Sequence, residues 1–206
     1  MVRSSDLSSV LVIAVICLSA GSLTAARKKS SAEFVRLSCK VTPYVEVCEQ
    51  SLSSYEPEAH RSKRQLARLA LALTADSARS ASVYVSRVAS SSAAAKRGSK
   101  NSLGSSTKLE AGAIRDCIQI MRDGVDRLRR SVREMNRLGR LGSSRFERHL
   151  RDVKAWVSAA LTDENMCLDE LSQFAGAAVR ESIRKKMVEL AQLISNALAL
   201  VDQLDP

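Results

Sequence analysis

The stretch Ala113-Ile-Arg-Asp-Cys-Ile-Gln-Ile-Met-Arg-Asp-Gly-Val-Asp-Arg-Leu-Arg-Arg-Ser-Val-Arg-Glu-Met135 carries the most regular pattern in this chain of 206 residues. Its apolar residues recur three and four positions apart, which places them on one face of an α-helix. They are Ile114, Cys117, Met121, Val125, Leu128, Val132 and Met135. Charged residues fill most other positions, so the segment predicts a long amphipathic helix with one face in a core.

The same spacing predicts three further long helices. The first covers about 62–95 and is followed by a polar Gly/Ser loop at 97–106. The second covers about 144–161, and the third spans 167–204. The polar run at 162–165 between them is expected to end the second helix and to cap the third. The predicted inward residues of the helix at 62–95 are Leu66, Leu69, Ala70, Leu73, Ser77, Ala81, Tyr84 and Val88. Those of the helix at 144–161 are Phe146, Leu150, Val153, Val157 and Ala160. Those of the last helix are Ile183, Met187, Leu190, Ile194, Ala197, Val201 and Leu204.

Two short apolar stripes precede these helices. Pro43 separates them, and they predict a small helical hairpin. The first consists of Phe34, Leu37 and Val41, and the second of Val45, Cys48, Leu52 and Tyr55. Aromatic residues make up only 3% of the chain and there are three prolines, a composition typical of helices. The predicted fold is therefore all-α, an up-down-up-down four-helix bundle preceded by a short N-terminal hairpin.

The first 26 residues predict a secretory signal peptide. A short apolar run at 10–20 follows Arg3 and precedes the small residues Thr24, Ala25 and Ala26. About 11 apolar residues are too few to span a bilayer, which takes roughly 20, so no retained membrane anchor is expected. The expected organisation is a signal peptide at 1–26 and one domain at 27–206, in a secreted protein that keeps the net charge of +10.

Loss of the signal peptide would remove Cys17 and leave an even number of cysteines for an oxidising compartment. They are Cys39, Cys48, Cys117 and Cys167. Four cysteines allow three pairings, and sequence alone does not choose among them. Spacing favours a local Cys39–Cys48 bridge, because Thr42-Pro43 turns the chain between them, and this leaves Cys117 for Cys167. The separations do not suit zinc, which favours close Cys-x-x-Cys pairs.

No constellation of catalytic residues stands out, so the chain is not expected to be an enzyme or to need a cofactor or a metal. His60 and His149 are interpreted as surface histidines. Asp116, Asp123 and Asp126 lie three and four positions from arginines, where ion pairs on a helix surface explain them.

Positive charge is concentrated in one part of the chain. Nine arginines lie between Arg127 and Arg151, and Lys96, Arg97 and Lys100 add a second basic group. Nucleic acid is not the expected partner, because the protein is secreted and offers few aromatic residues for base stacking. An extracellular polyanion fits better, and a basic surface that serves only solubility is the alternative.

Five motifs, in order, carry a family resemblance. They are the Phe34–Cys48 segment, the pair Ala113–Cys117 and Val125–Leu128 with Ser131, the segment Trp156–Thr162, the triplet Cys167–Asp169, and the segment Ser195–Leu200. On these residues the chain resembles the plant invertase and pectin methylesterase inhibitor family from about Glu33 to Leu204. Met166 and Glu170-Leu171 depart from the family pattern, so the packing near the second bridge is expected to differ from that of the family.

The resemblance implies a four-helix bundle with disulfides Cys39–Cys48 and Cys117–Cys167, secreted to the apoplast or cell wall. It implies a stoichiometric inhibitor that covers the pectin-binding cleft of pectin methylesterase. Acid invertase is the alternative target, although the chain lacks a Pro-Lys-Phe element, and a non-inhibitory protein that binds de-esterified pectin is the other alternative. Helical phase places the expected interface at Asp76, Arg79, Ser80, Arg122, Asp123 and Arg130.

Overall fold

A computed structural model describes residues 31–55, 62–97 and 105–205. Helix α1 includes residues 31–39. The other helices are α2 (Val45–Ser53), α3 (Lys63–Arg97), α4 (Ser105–Arg137), α5 (Ser144–Phe174) and α6 (Ala177–Asp202). These described ranges contain no β-strand, and none of their helices is long and apolar enough to cross a membrane. The predicted signal peptide at 1–26 lies outside them.

Helices α3 to α6 form the predicted up-down-up-down bundle. Each packs against two of the others, in the cyclic order α3, α4, α5, α6. Contacts between helix ends show that neighbours are antiparallel. Arg64 at the start of α3 donates to the carbonyl of Gly139 beyond the end of α4 at 3.1 Å. Lys154 in the first half of α5 lies 3.0 Å from Asp202 at the end of α6.

The inward faces of α4, α5 and α6 follow the predicted stripes. All of the predicted inward residues of these helices are buried except Val132, which is half-buried against the core. The agreement has a physical reason. These stripes consist mostly of large aliphatic side chains at strict three-and-four spacing, so only one helical orientation buries them all.

The inward face of α3 differs from the prediction. Leu71, Ala75, Ala78 and Val85 are buried, whereas Tyr84 remains 37% exposed and shares a hydrogen bond with the Ser182 hydroxyl at 2.7 Å. The predicted positions 69, 73, 77 and 88 are only half-buried, whereas the predicted Leu66, Ala70 and Ala81 are buried. The buried face therefore overlaps the predicted stripe and is shifted toward small alanine side chains, which allow helices to approach closely.

Helix α5 does not end at residues 162–165, as was predicted, but continues to Phe174. The Thr162 hydroxyl donates to the carbonyl of Ser158, one turn earlier, at 3.1 Å. Asp163 and Glu164 are buried instead of capping a helix end. The break comes later, at Ala175 and Gly176, so Cys167 lies inside α5 and not at the start of the last helix.

The N-terminal hairpin is present, but its buried face is rotated from the predicted one. Leu37 and Val41 are 51% and 63% exposed, and Tyr55 is also exposed, while Val35 and Cys39 are buried. The turn explains the rotation, because the Thr42 hydroxyl donates to the Cys39 carbonyl at 2.7 Å and both residues face inward.

The hairpin is attached to the bundle through Asn196 on α6. Its side-chain amide accepts from the Tyr44 backbone N–H at 3.0 Å and donates to the Tyr44 carbonyl at 2.8 Å. This side chain therefore satisfies both backbone polar groups of a residue next to the core.

The structure contains two disulfides, as the sequence predicted. Cys39 is joined to Cys48, which closes the hairpin. Cys117 is joined to Cys167, which links α4 to α5 across a sequence separation of 50. All four bridged cysteines are buried. The second bridge lies far along both helices from the turn that connects them, so α4 and α5 are connected at two separate levels.

Candidate functional site

A shallow groove runs along the outside of the bundle between α3 and α4. Val83, Ser86, Arg87 and Ser90 on α3 line it together with Arg122 on α4. We call this surface the α3/α4 groove. Arg122 was predicted as an interface residue and is exposed here.

Three further predicted interface residues extend this surface along α3. Asp76, Arg79 and Ser80 are exposed, and they precede Val83 by seven, four and three residues. Residues at these intervals share one side of a helix. Four of the six predicted interface residues therefore lie along one side of the bundle.

The wall of the α3/α4 groove has small polar side chains and one apolar patch. The hydroxyls of Ser80, Ser86 and Ser90 each donate to the carbonyl four residues earlier, at 2.9–3.0 Å. Their hydrogen bonds are made within the helix, so the surface needs little reordering on contact. Val83 is 46% exposed among them. This mixture of a flat apolar spot and charged edges suits contact with another protein.

Asp123 and Arg130, the other two predicted interface residues, lie on the side of α4 that faces α5. The Arg130 guanidinium is 5.9 Å from the centre of the Trp156 ring on α5. The Asp123 carboxylate accepts a hydrogen bond from the Gln119 side chain at 3.1 Å. It is also close enough to Asp163 of α5 to raise the pKa of that carboxyl. The structure thus separates the predicted interface into two surfaces.

Sequence analysis missed a buried acidic pair between α4 and α5. Burial raises the pKa of Asp163, although the Arg127 guanidinium opposes this from 2.8 Å and Asp123 adds a smaller upward effect. Glu164 is fully buried, and neither of its carboxyl oxygens has a hydrogen-bond partner within the described residues. Burial, with the neighbouring Asp163 charge, raises the pKa of Glu164 to about 8.

Gly124 on α4 lies against this pair. A Cβ atom placed there would be in ordinary van der Waals contact with it, 3.5 Å from Asp163 Oδ2 and 3.6 Å from Glu164 Oε1. The only sequence signal for the pair was this glycine inside the heptad pattern of α4, and it does not identify the partner residues on α5.

The sequence suggested that His149 is a surface histidine, but the structure places it partly inside the contact between α4 and α5. Its side chain is 22% exposed, and Nδ1 lies 2.6 Å from Oε2 of Glu134 on α4. The other oxygen of Glu134 accepts from Arg137 at 3.0 Å. His60, by contrast, lies outside the described residues, so its predicted surface position is not tested.

One end of the bundle is strongly basic. The nine arginines of 127–151 lie on the last part of α4, the turn and the first part of α5, with only Glu134 and Glu147 as acidic residues in that segment. Six of the nine are exposed and form no ion pair within the described residues; we call them the arginine end. They are Arg130, Arg133, Arg140, Arg145, Arg148 and Arg151.

Residues 33–200 match the family model described as plant invertase/pectin methylesterase inhibitor. The chain belongs to this family. The match covers both disulfides, the bundle and the buried acidic pair, so nearly the whole described fold is the inhibitor domain. The resemblance stated from five sequence motifs is thereby confirmed, and with it the expectation of an inhibitor family rather than a family of enzymes.

Relatives within the inhibitor family support this assignment. Pectinesterase inhibitor 9 of Arabidopsis thaliana is 37% identical over 94% of this chain and 91% of its own length. The 21 kDa protein of Daucus carota is 34% identical over 87% of this chain and 88% of its own length. The crystal structure of a mutant form of a pectin methylesterase inhibitor from Arabidopsis covers 80% of this chain and 92% of its own, with a TM-score of 0.55 at 16% identity. That likeness shows a shared helical fold.

Proposed function

We propose that this protein is a secreted inhibitor of pectin methylesterase that acts in the plant cell wall. The observation that carries the proposal is its similarity, over nearly the whole chain, to a relative named for inhibition of pectinesterase. The inhibitor forms a one-to-one complex that blocks the pectin-binding cleft of the esterase. It works by steric exclusion, so it needs rigid helices and no chemistry of its own.

The α3/α4 groove is the proposed contact surface. Helix α3 has 35 residues and is therefore about 50 Å long, enough to lie along an extended cleft. A stable protein complex buries about 800 Å² on each partner, which a strip of this length can supply. Arg122 and Arg87 line the groove beside exposed Val83, and exposed Arg79 lies one turn before Val83 on α3. An acidic cleft that binds the groove would therefore meet both charge and apolar surface.

A titration of pectin methylesterase with the oxidised protein tests the function. We expect a linear loss of activity that ends at one inhibitor per enzyme when both are well above the dissociation constant. Acid invertase assayed in parallel should keep its activity. Loss of invertase activity with an unchanged esterase would replace this proposal with the invertase alternative, and no effect on either enzyme would reject inhibition.

Charge reversal tests the surface. We expect Arg122→Glu combined with Val83→Arg to weaken inhibition at least tenfold, because central contact residues commonly account for about 2 kcal/mol or more. Arg151→Glu, an exposed arginine of α5, is the matched control and should keep inhibition. Asp123→Arg distinguishes the two sides of α4. If Asp123→Arg abolishes inhibition and the groove variant does not, the contact surface is the α4/α5 side.

The arginine end supports a second binding activity, toward de-esterified pectin. Its six exposed arginines attract a polyanion electrostatically, and such attraction weakens as salt screens it. We expect retention on polygalacturonate that is lost with rising salt and is strongly reduced by changing Arg140, Arg145 and Arg148 to Gln. If this variant is retained like the native chain, the arginine end is not the pectin-binding surface. A native chain that is not retained at low salt would reject pectin binding.

A further inference from the structure

Three side chains that can bind a metal ion meet between α4 and α5. Glu134 lies on α4, while His149 and Asp152 lie three residues apart on α5 and so share one side of that helix. One possible ligand atom from each residue lies within 4.8 Å of the other two. We propose that Glu134, His149 and Asp152 form a binding site for a divalent transition-metal ion of the zinc class, separate from the α3/α4 groove.

The distances fit such an ion after a small adjustment. Tetrahedral zinc with bonds of about 2.0–2.2 Å places its ligand atoms about 3.4 Å apart. Glu134 Oε2 and His149 Nδ1 are now 2.6 Å apart, so they need to separate by less than about 1 Å. Asp152 is exposed, and its candidate ligand oxygen already lies within 4.8 Å of the other two ligand atoms. Water from the open side would supply the fourth ligand, as in other zinc sites with three protein ligands.

Two of the three ligands are already held in position. The side chains of Glu134 and His149 are 12% and 22% exposed, so the packing of α4 against α5 restricts both. Arg137 donates to Oε1 of Glu134 at 3.0 Å, which leaves Oε2 directed at the imidazole. A hydrogen bond to the second oxygen of a ligating carboxylate is a common means of orienting it.

The donor set predicts which metals bind. An imidazole nitrogen favours zinc, copper and nickel ions, whereas calcium and magnesium prefer sites made only of oxygen atoms. Arg133 and Arg148 carry positive charges nearby in the chain, and they weaken binding of every cation. Binding must therefore come from the bond to the imidazole, and we expect zinc to bind and calcium and magnesium not to.

Titration calorimetry with zinc chloride on the oxidised chain carrying Cys17→Ser, the background of every variant, tests the site. That substitution removes the fifth cysteine, and the four cysteines of the two disulfides offer no thiolate that could bind zinc. We expect one zinc per chain, at least a tenfold loss of affinity in His149→Gln, and a smaller loss in Asp152→Asn. His60→Gln changes the only other histidine and is the matched control, with no expected change. Unchanged affinity in His149→Gln, or no saturable zinc binding by the native chain, overturns the proposal.

A measurement on the native chain avoids any effect of substitution on folding. Zinc should shift the ring nitrogen resonances of His149 in an NMR spectrum and leave those of His60 in place, while calcium and magnesium should shift neither. A zinc-induced shift confined to His60 would place the ion elsewhere and reject the site. These outcomes do not depend on whether the protein inhibits pectin methylesterase.

Discussion

Among the described residues, Glu164 is the one whose side-chain oxygens are buried without a hydrogen-bond partner. It is fully buried between α4 and α5, and no described group donates to its oxygens. A carboxylate in such a place is costly, so the group retains its proton until the pH is high. The effect on neighbouring Asp163 is smaller, because Arg127 provides an opposite charge at 2.8 Å.

The raised pKa of Glu164 gives stability a definite pH dependence. The group titrates near 4.5 when unfolded and at about 8 when folded. Its contribution is therefore complete below pH 4.5 and is lost as the pH rises to 8, on the order of 5 kcal/mol over that interval. We predict that urea denaturation of the oxidised native chain shows a clear fall in stability between about pH 5 and pH 8.

The variant Glu164→Gln removes the titration but keeps the shape of the side chain. We expect it to lose much less stability over the same pH range and to be more stable than the native chain at a pH of about 8. Asp169→Asn, an exposed residue on the same helix, should behave like the native chain. Parallel pH profiles for the native chain and Glu164→Gln would show that Glu164 does not titrate as described.

The turn between α4 and α5 depends on one glycine and one serine. Gly142 has a φ of 75°, a conformation that a side chain disfavours. Ser143 follows as the N-cap of α5, and its hydroxyl accepts from the Phe146 N–H at 3.2 Å. The two residues together reverse the chain and begin the next helix.

Substitution of Gly142 should destabilise the protein. We predict that Gly142→Ala lowers the free energy of unfolding by about 1–2 kcal/mol in urea denaturation. Gly112 is a glycine within α4, and a Cβ atom added there would meet no other part of the fold within 4 Å. Gly112→Ala should therefore raise stability by up to about 1 kcal/mol, because alanine favours helix. The same sign of effect at both positions would contradict the conformational argument.

The sequence predicted the buried faces of α4 and α6 well and the boundary between α5 and α6 poorly, for physical reasons. Large aliphatic residues at Ile183, Met187 and Leu190 leave one way to bury a helix, so spacing alone finds it. Thr162, Asp163 and Glu164 lie in a run of polar residues that favours a helix end, and only the packing against α4 explains why they lie in a helix interior. The residues of α4 are distant in sequence, so no local pattern contains this information.

At the scale of the whole molecule, the two disulfides should differ in their effect. In the loop-entropy model, closure of 50 residues stabilises the fold by about 4 kcal/mol and closure of nine by about 2.5 kcal/mol. We predict a larger loss of stability, measured by urea denaturation, for Cys117→Ala with Cys167→Ala than for Cys39→Ala with Cys48→Ala. A larger loss from the hairpin pair would contradict the loop-entropy account of the two bridges.

The bundle and its two disulfides were predictable because helix spacing and cysteine number both constrain the whole chain. The candidate contact surface was predictable only in part. Helical phase correctly placed Arg122 and Asp123 outside the core, but these neighbours lie about 100° apart around α4, one toward α3 and one toward α5. The order of the helices around the bundle decides which helix lies next to each side of α4. Surface residues carry little information about that order.

The Cys117–Cys167 bridge and the 138–143 turn together make a closed ring of polypeptide from the facing parts of α4 and α5. A protease that cuts once at exposed Arg140 or Arg145 opens this ring without releasing a fragment, because the sulfur link still joins the two pieces. The nicked protein would run as one band on a gel until a reductant is added. A first cut in this basic turn therefore leaves the two parts of the domain covalently joined.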